Sequence, residues 1–94
     1  YLAAAEAPRG PLVQTLQEWA IEHEVWILGG THPFKVAGSP RKVTNTSLLI
    51  SPDGDVAARY DKIHLFDVDL SKDRKYRESE LVRPGKRVVT AELP

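Results

Sequence analysis

Ninety-four residues, with 13 Lys and Arg balanced by 13 Asp and Glu and 41% apolar residues, suffice for one small soluble core and no more. A domain of this size hides roughly 60 to 65% of the surface its unfolded chain exposes, so a staple, a metal or a partner is expected to share the work. There is no cysteine, which excludes a disulfide framework, a thiolate metal site and a cysteine nucleophile within this stretch. The zero net charge removes the electrostatic case for nucleic acid or an anionic membrane.

The opening residues, Tyr1 to Ala7, have neither the basic start nor the long apolar centre of a secretory signal, and no apolar run reaches membrane-spanning length. A chain without methionine that begins on Tyr1 and stops at Pro94 after a strand-like run is expected to be one partial domain over residues 1–94, cut at both ends. Gly10-Pro11 suits a helix start, because proline's fixed φ fits the first turn. Leu12, Leu16, Trp19, Ala20 and His23 follow at helical spacing, which predicts an amphipathic helix over residues 11 to 24 with Trp19 in the core.

Val25-Trp26-Ile27-Leu28 is apolar, partly β-branched and ended by Gly29-Gly30, as expected of a short strand buried on both faces with Trp26 in the core. Residues 31 to 42 carry Pro33, Gly38 and Pro40 without a period and are expected to form a long surface loop. Residues 43 to 51 and 56 to 60 flank Pro52-Asp53-Gly54-Asp55 and predict a hairpin, since those residues supply preset φ, side-chain capping and positive φ. From Asp61 to Gly85 the chain is polar and aperiodic, the pattern of a long functional loop, and Arg87 to Ala91 offers one more strand. A helix feeding such strands predicts the α/β class.

Lys62 closes the predicted hairpin inside Tyr60-Asp61-Lys62-Ile63-His64-Leu65-Phe66. A lysine held rigidly there could stabilise a developing oxyanion, although most isolated lysines are solvated surface groups. Asp67, Asp69, Ser71 and Glu78 fall on a calcium-loop spacing, but Lys72 stands where that loop needs glycine, so no metal site is expected. Lys72, Arg74, Lys75 and Arg77 around Tyr76 have the composition of a nucleic-acid contact, which the interleaved acidic residues cancel. Asn45-Thr46-Ser47 matches a glycosylation acceptor, yet a structural asparagine within a strand is expected. His23, His32 and His64 show no metal-ligand spacing and are read as structural, with His64 close enough to Lys62 to help shape a site. Ser47, Ser51 and Ser79 lack both a spaced histidine and a glycine-rich elbow, so none is a convincing nucleophile.

Taken in order, Val25 to Gly30, Asn45 to Gly54, Arg59 to Asp67, Tyr76 to Ser79 and Pro84-Gly85 resemble the nitrilase superfamily of carbon-nitrogen hydrolases across most of residues 12 to 92. The likeness is greatest to its omega-amidase and deaminated-glutathione amidase branch. That resemblance implies a four-layer α-β-β-α sandwich, of which one helix and about four strands would lie here. It implies hydrolysis of small non-peptide amides through a cysteine thioester, a glutamate acting as base and acid, and a lysine that stabilises the tetrahedral intermediate. Lys62 matches that lysine, and Glu78 matches a second glutamate supporting the lysine or the attacking water. The general-base glutamate would lie upstream and the cysteine just beyond Pro94, so these residues alone are expected to be inactive.

The resemblance further implies a small-molecule amide substrate, no cofactor, a cytoplasmic location and a homodimer. Arg41, Lys42, Arg74 and Arg77 are candidates for recognising a substrate carboxylate. Two other readings remain open at this point. One is a non-catalytic αβ interaction module, and the other is a different branch of the superfamily, such as an N-carbamoyl amidohydrolase or a nitrilase.

Overall fold

The helix α1 runs over Pro11–His23, with Pro11 in the first turn after Gly10. Gly10 has no side chain with which to cap, so the helix start is satisfied from elsewhere. The Glu6 carboxylate accepts the Leu12 N–H at 3.0 Å. The helix ends at Glu24, whose left-handed conformation returns N–H groups to the last-turn carbonyls of Ala20 and Ile21. The computed structural model describes residues 5–7, 10–71 and 74–93; the expectations for Tyr1 to Ala4, Lys72, Asp73 and Pro94 lie outside them.

The helix packs on one face of a three-stranded antiparallel sheet with strand order β1-β2-β3, formed by β1 (Ile27–Val36), β2 (Ser39–Ile50) and β3 (Val56–Asp61). Val13 and Ala20 from α1 meet Phe34, Leu48 and Ile50 from the sheet, with Leu16 and Ile27 around them. Burying each large apolar side chain here is worth about 1.5 to 3 kcal/mol, which makes this cluster the chief source of stability. The buried stripe is rotated from the predicted one: Val13 and Ala20 point inward, while Leu12, Trp19 and His23 are exposed. Trp19 is therefore a surface residue, and Trp26 lies half-buried just ahead of β1.

The expected loop over residues 31 to 42 is instead the end of β1, a two-residue turn and the start of β2. Gly38 at φ +76° supplies the left-handed turn residue, and Val36 pairs with Ser39 across it. A bulge between Gly29 and His32 carries the strand past the glycine pair that was expected to end it. Pro33 is tolerated because β1 is an edge of this sheet, where its carbonyl accepts from Glu6 N at 3.2 Å and Lys35 N donates to Glu6 O at 2.8 Å. The predicted hairpin is present as β2 and β3. Its turn is closed by the Gly54 N–H on Ser51 O at 2.9 Å and by the Ser51 N–H on Asp55 O at 2.9 Å.

Within the expected functional loop lies a second, two-stranded sheet formed by β4 (Asp67–Ser71) and β5 (Arg74–Arg77), followed by a 3-10 turn at Glu78–Glu80. The strand expected over Arg87 to Ala91 does not form: these residues take no regular secondary structure, and Val88 is exposed. Val89, Ala91 and Leu93 instead line a cavity of about 260 Å³ over the sheet face opposite α1, with Leu28, Leu49, Ala58 and Tyr60. Leu28 is 76% exposed there, so the apolar run at 25 to 28 is covered on one side only by the described residues. The architecture is a helix layer over a sheet layer, the helix-on-sheet half that the resemblance implies. Among the described residues no helix is long and apolar enough to cross a membrane.

Candidate active site around Lys62 and Glu78

Lys62 follows β3 directly, and its backbone is held on both sides. Its N–H donates to Asn45 O on β2 at 2.8 Å, and its carbonyl accepts from Gly85 N at 2.9 Å. Glycine is required at position 85, because a Cβ there would collide with the Asp61 carbonyl. Two further bonds tie the 81 to 85 segment to β2, with Val43 N donating to Leu81 O at 2.8 Å and Arg83 N to Val43 O at 2.7 Å.

The fixed backbone aims the lysine at Glu78, with Nζ 2.8 Å from Oε1. The same carboxylate oxygen accepts the Phe66 N–H at 2.9 Å. The Lys62 side chain is 38% exposed and that of Glu78 only 16%, so the ammonium is reachable while its carboxylate partner is largely shielded. Such a pair contributes little to stability, about 1 kcal/mol or less at this exposure, but it fixes the position and charge of the lysine.

Glu78 is held below the ordinary carboxylate range first by its hydrogen bond from Lys62 and then by the Phe66 N–H, against the opposing effects of burial and of the Asp67 charge. Asp67 is also lowered, chiefly by the Ser79 N–H and hydroxyl, with smaller contributions from Arg77 and the Glu78 N–H. Both carboxylates therefore favour the folded arrangement at neutral pH and above. That contribution persists as pH drops toward the ordinary carboxylate range and is lost as pH falls through their lowered values. A carboxyl NMR titration is expected to place both midpoints below those of ordinary Glu and Asp side chains, with Lys62 contacts loosening only as pH falls through them.

The carbon-nitrogen hydrolase family matches residues 1–94. The chain belongs to that family. It is 43% identical over 86 residues to a deaminated glutathione amidase of Yersinia enterocolitica, covering 90% of this chain and 30% of that protein. It is 38% identical over 90 residues to an omega-amidase of Homo sapiens, covering 96% of this chain and 32% of that protein. The crystal structure of the C. elegans NitFhit protein superposes with a TM-score of 0.77 at 29% identity, covering 84% of this chain and 19% of that one. The chain thus spans about a third of the length of these amidase relatives and matches a part of a nitrilase-like fold.

Lys62 and Glu78, singled out by their place in the motifs, are brought into direct contact. The other candidates are not gathered there. Lys42 donates to the Ser79 carbonyl, Arg77 pairs with Asp69, Arg41 is exposed, and the side chains of Arg74 and Tyr76 lie outside the described residues. His64 is exposed in the connection between β3 and β4, and His32 lies in β1, packed edge-on against Phe34 at 5.2 Å. Asn45 is buried in β2. The acidic residues of the calcium-like spacing take separate partners, and among the described residues no three His, Asp or Glu side chains converge on a metal-sized point.

Sequence reasoning missed a polar network one residue upstream. Asp61 Oδ1 accepts from Thr46 Oγ1 at 2.7 Å and from Arg59 Nε at 3.0 Å, while Arg59 also reaches Thr44 Oγ1 at 3.2 Å. Thr44 and Thr46 are buried and share a 2.8 Å bond. The network faces the helix side of the sheet, so the Asp61 charge is met by Arg59 on that face. Alternation along β2 and β3 was the available signal, since it places Thr44, Thr46, Arg59 and Asp61 on one face.

Proposed function

We propose that this chain is the lysine-bearing segment of an amidase that hydrolyses small non-peptide amides through a cysteine thioester. The 2.8 Å contact between Lys62 Nζ and Glu78 Oε1, in a chain of the carbon-nitrogen hydrolase family, is the observation that carries the reading. As a thiolate adds to the amide carbonyl, negative charge builds on the carbonyl oxygen. A preplaced ammonium attracts that charge more strongly in the transition state than in the substrate, which is the condition for raising kcat. Glu78 keeps the ammonium charged and oriented. Collapse of the intermediate expels ammonia or an amine and leaves the acyl group on sulfur, and water then releases the acid.

The sequence contains no cysteine, so the thiolate would come from outside these 94 residues, as would the general-base glutamate that the resemblance places upstream, and these residues alone would not turn over substrate. The names of the relatives support deaminated glutathione and omega-amides as the substrates to try first. The test is ammonia or amine release by the native protein, together with its intact mass during turnover. A transient mass increase equal to the acyl group is expected. Turnover without any acylated cysteine, or none on any small amide, overturns the reading.

A further inference from the structure

Glu78 can orient Lys62 only if Glu78 is itself fixed, and bonds between residues 66–67 and 78–79 fix it. The Phe66 N–H reaches the Glu78 carboxylate at 2.9 Å, the Glu78 N–H returns to the Phe66 carbonyl at 3.1 Å, and the Ser79 N–H reaches Asp67 Oδ1 at 3.0 Å. The first two lie within a strand-like exchange between main chain and the glutamate. The third is accepted by the Asp67 side chain, and it closes the ring in which Glu78 sits.

The Asp67 carboxylate lies at the start of the Glu78–Glu80 turn and satisfies an N–H that such a turn leaves without an internal acceptor. The turn has no cap of its own, because Arg77 makes no side-chain cap bond. Without Asp67 the Ser79 N–H would lose this acceptor, and residue 78 would keep its main-chain bonds and the Phe66 contact, with more freedom to shift from the lysine. Two neighbouring carboxylates are thereby kept in distinct roles. Glu78 faces the cation, and Asp67 faces the backbone.

We propose that Asp67 is a positioning residue for the Lys62 ammonium, acting through the Ser79 N–H and the placement of Glu78. The catalytic consequence rests on the amidase reading above, while the positioning itself is a statement about Lys62 and can be tested without turnover.

The experiment uses the native protein and its Asp67→Ala, Asp67→Asn and Asp69→Asn variants. Lys62 is labelled with trace acetic anhydride at mildly alkaline pH, and its acetylation is read by mass spectrometry against exposed Lys35. Loss of the carboxylate partner lowers the proton affinity of the lysine, so Asp67→Ala is expected to raise relative Lys62 acetylation by about threefold. The conservative Asp67→Asn keeps an acceptor for the Ser79 N–H and should fall between Asp67→Ala and the wild type. If Asp67→Ala does not fold, the excess of Asp67→Asn over the wild type carries the test. Asp69→Asn removes a neighbouring charge from the same hairpin and should label as the wild type does.

In the active enzyme Asp67→Ala is expected to lower kcat by about tenfold with KM little changed. Unchanged labelling in both Asp67 variants, or equal labelling in Asp69→Asn and Asp67→Ala, overturns the positioning role. Labelling that responds while no small amide is hydrolysed overturns the amidase reading and leaves the positioning role standing.

Discussion

On the proposed amidase mechanism, replacing Lys62 by methionine is expected to lower kcat by about 10² to 10³, with KM changed by less than about threefold. Methionine keeps much of the length and apolar stem of lysine but offers no charge to an oxyanion. In that proposal the loss is that of one preorganised donor to a tetrahedral intermediate, and it would appear in kcat because the charge the donor meets builds only there. Stability should change little, since a pair in which the lysine is 38% exposed contributes about 1 kcal/mol or less. Glu78 should respond as well. Its main source of depression is the bond from Lys62, so its titration midpoint is expected to rise toward the ordinary range in the variant. An unchanged kcat with a raised KM would make Lys62 a substrate-binding group, and a kcat equal to wild type with KM unchanged would remove it from the chemistry.

The parts of the fold legible in the sequence are those decided by local chemistry. Pro11 after Gly10 sets the helix start, and Pro52-Asp53-Gly54 sets the β2 to β3 turn. In both cases the residues carry the required backbone preference themselves. The Lys62 to Glu78 contact came from the motif series, and the structure supplies its geometry. What was not legible depends on remote partners. Pro33 and Pro40 read as loop residues because proline is excluded from paired strands. Pro33 is accommodated on an edge, where residue 6 meets the carbonyl it offers, and nothing near Pro33 announces Glu6. Trp19 was assigned to the core by size and spacing, yet the stripe that meets the sheet runs through Val13 and Ala20, a rotation set by where Phe34 and Ile50 project. The Arg87 to Ala91 segment has the β-branched composition of a strand, but composition creates no ladder unless another strand lies alongside.

Phe34→Ala is expected to cost about 3 to 5 kcal/mol, the range for deleting a buried ring from a packed core. Phe34 is 1% exposed and lies in the segment whose sequence reads as a surface loop, so the variant separates the two descriptions of residues 31 to 42. Its ring meets the Val13, Ala20, Leu48 and Ile50 cluster, takes the edge of His32 at 5.2 Å, and lies 5.3 Å from the Arg59 guanidinium carbon. Deleting it opens a cavity beneath α1 and removes the aromatic face from a cation that also holds Asp61, the residue before Lys62. The loss should appear as a lower denaturant midpoint, with β1 and the Thr44 to Thr46 network losing hydrogen-exchange protection together. Phe34→Leu, which keeps most of the apolar volume, should cost about 1.5 kcal/mol or less if the pocket repacks. A cost below about 1 kcal/mol for Phe34→Ala would fit an unpacked loop rather than a strand, because surface substitutions rarely exceed half that value. A cost in the full range, shared with β2, would tie the hairpin that the prolines concealed to the sheet edge from which Lys62 projects.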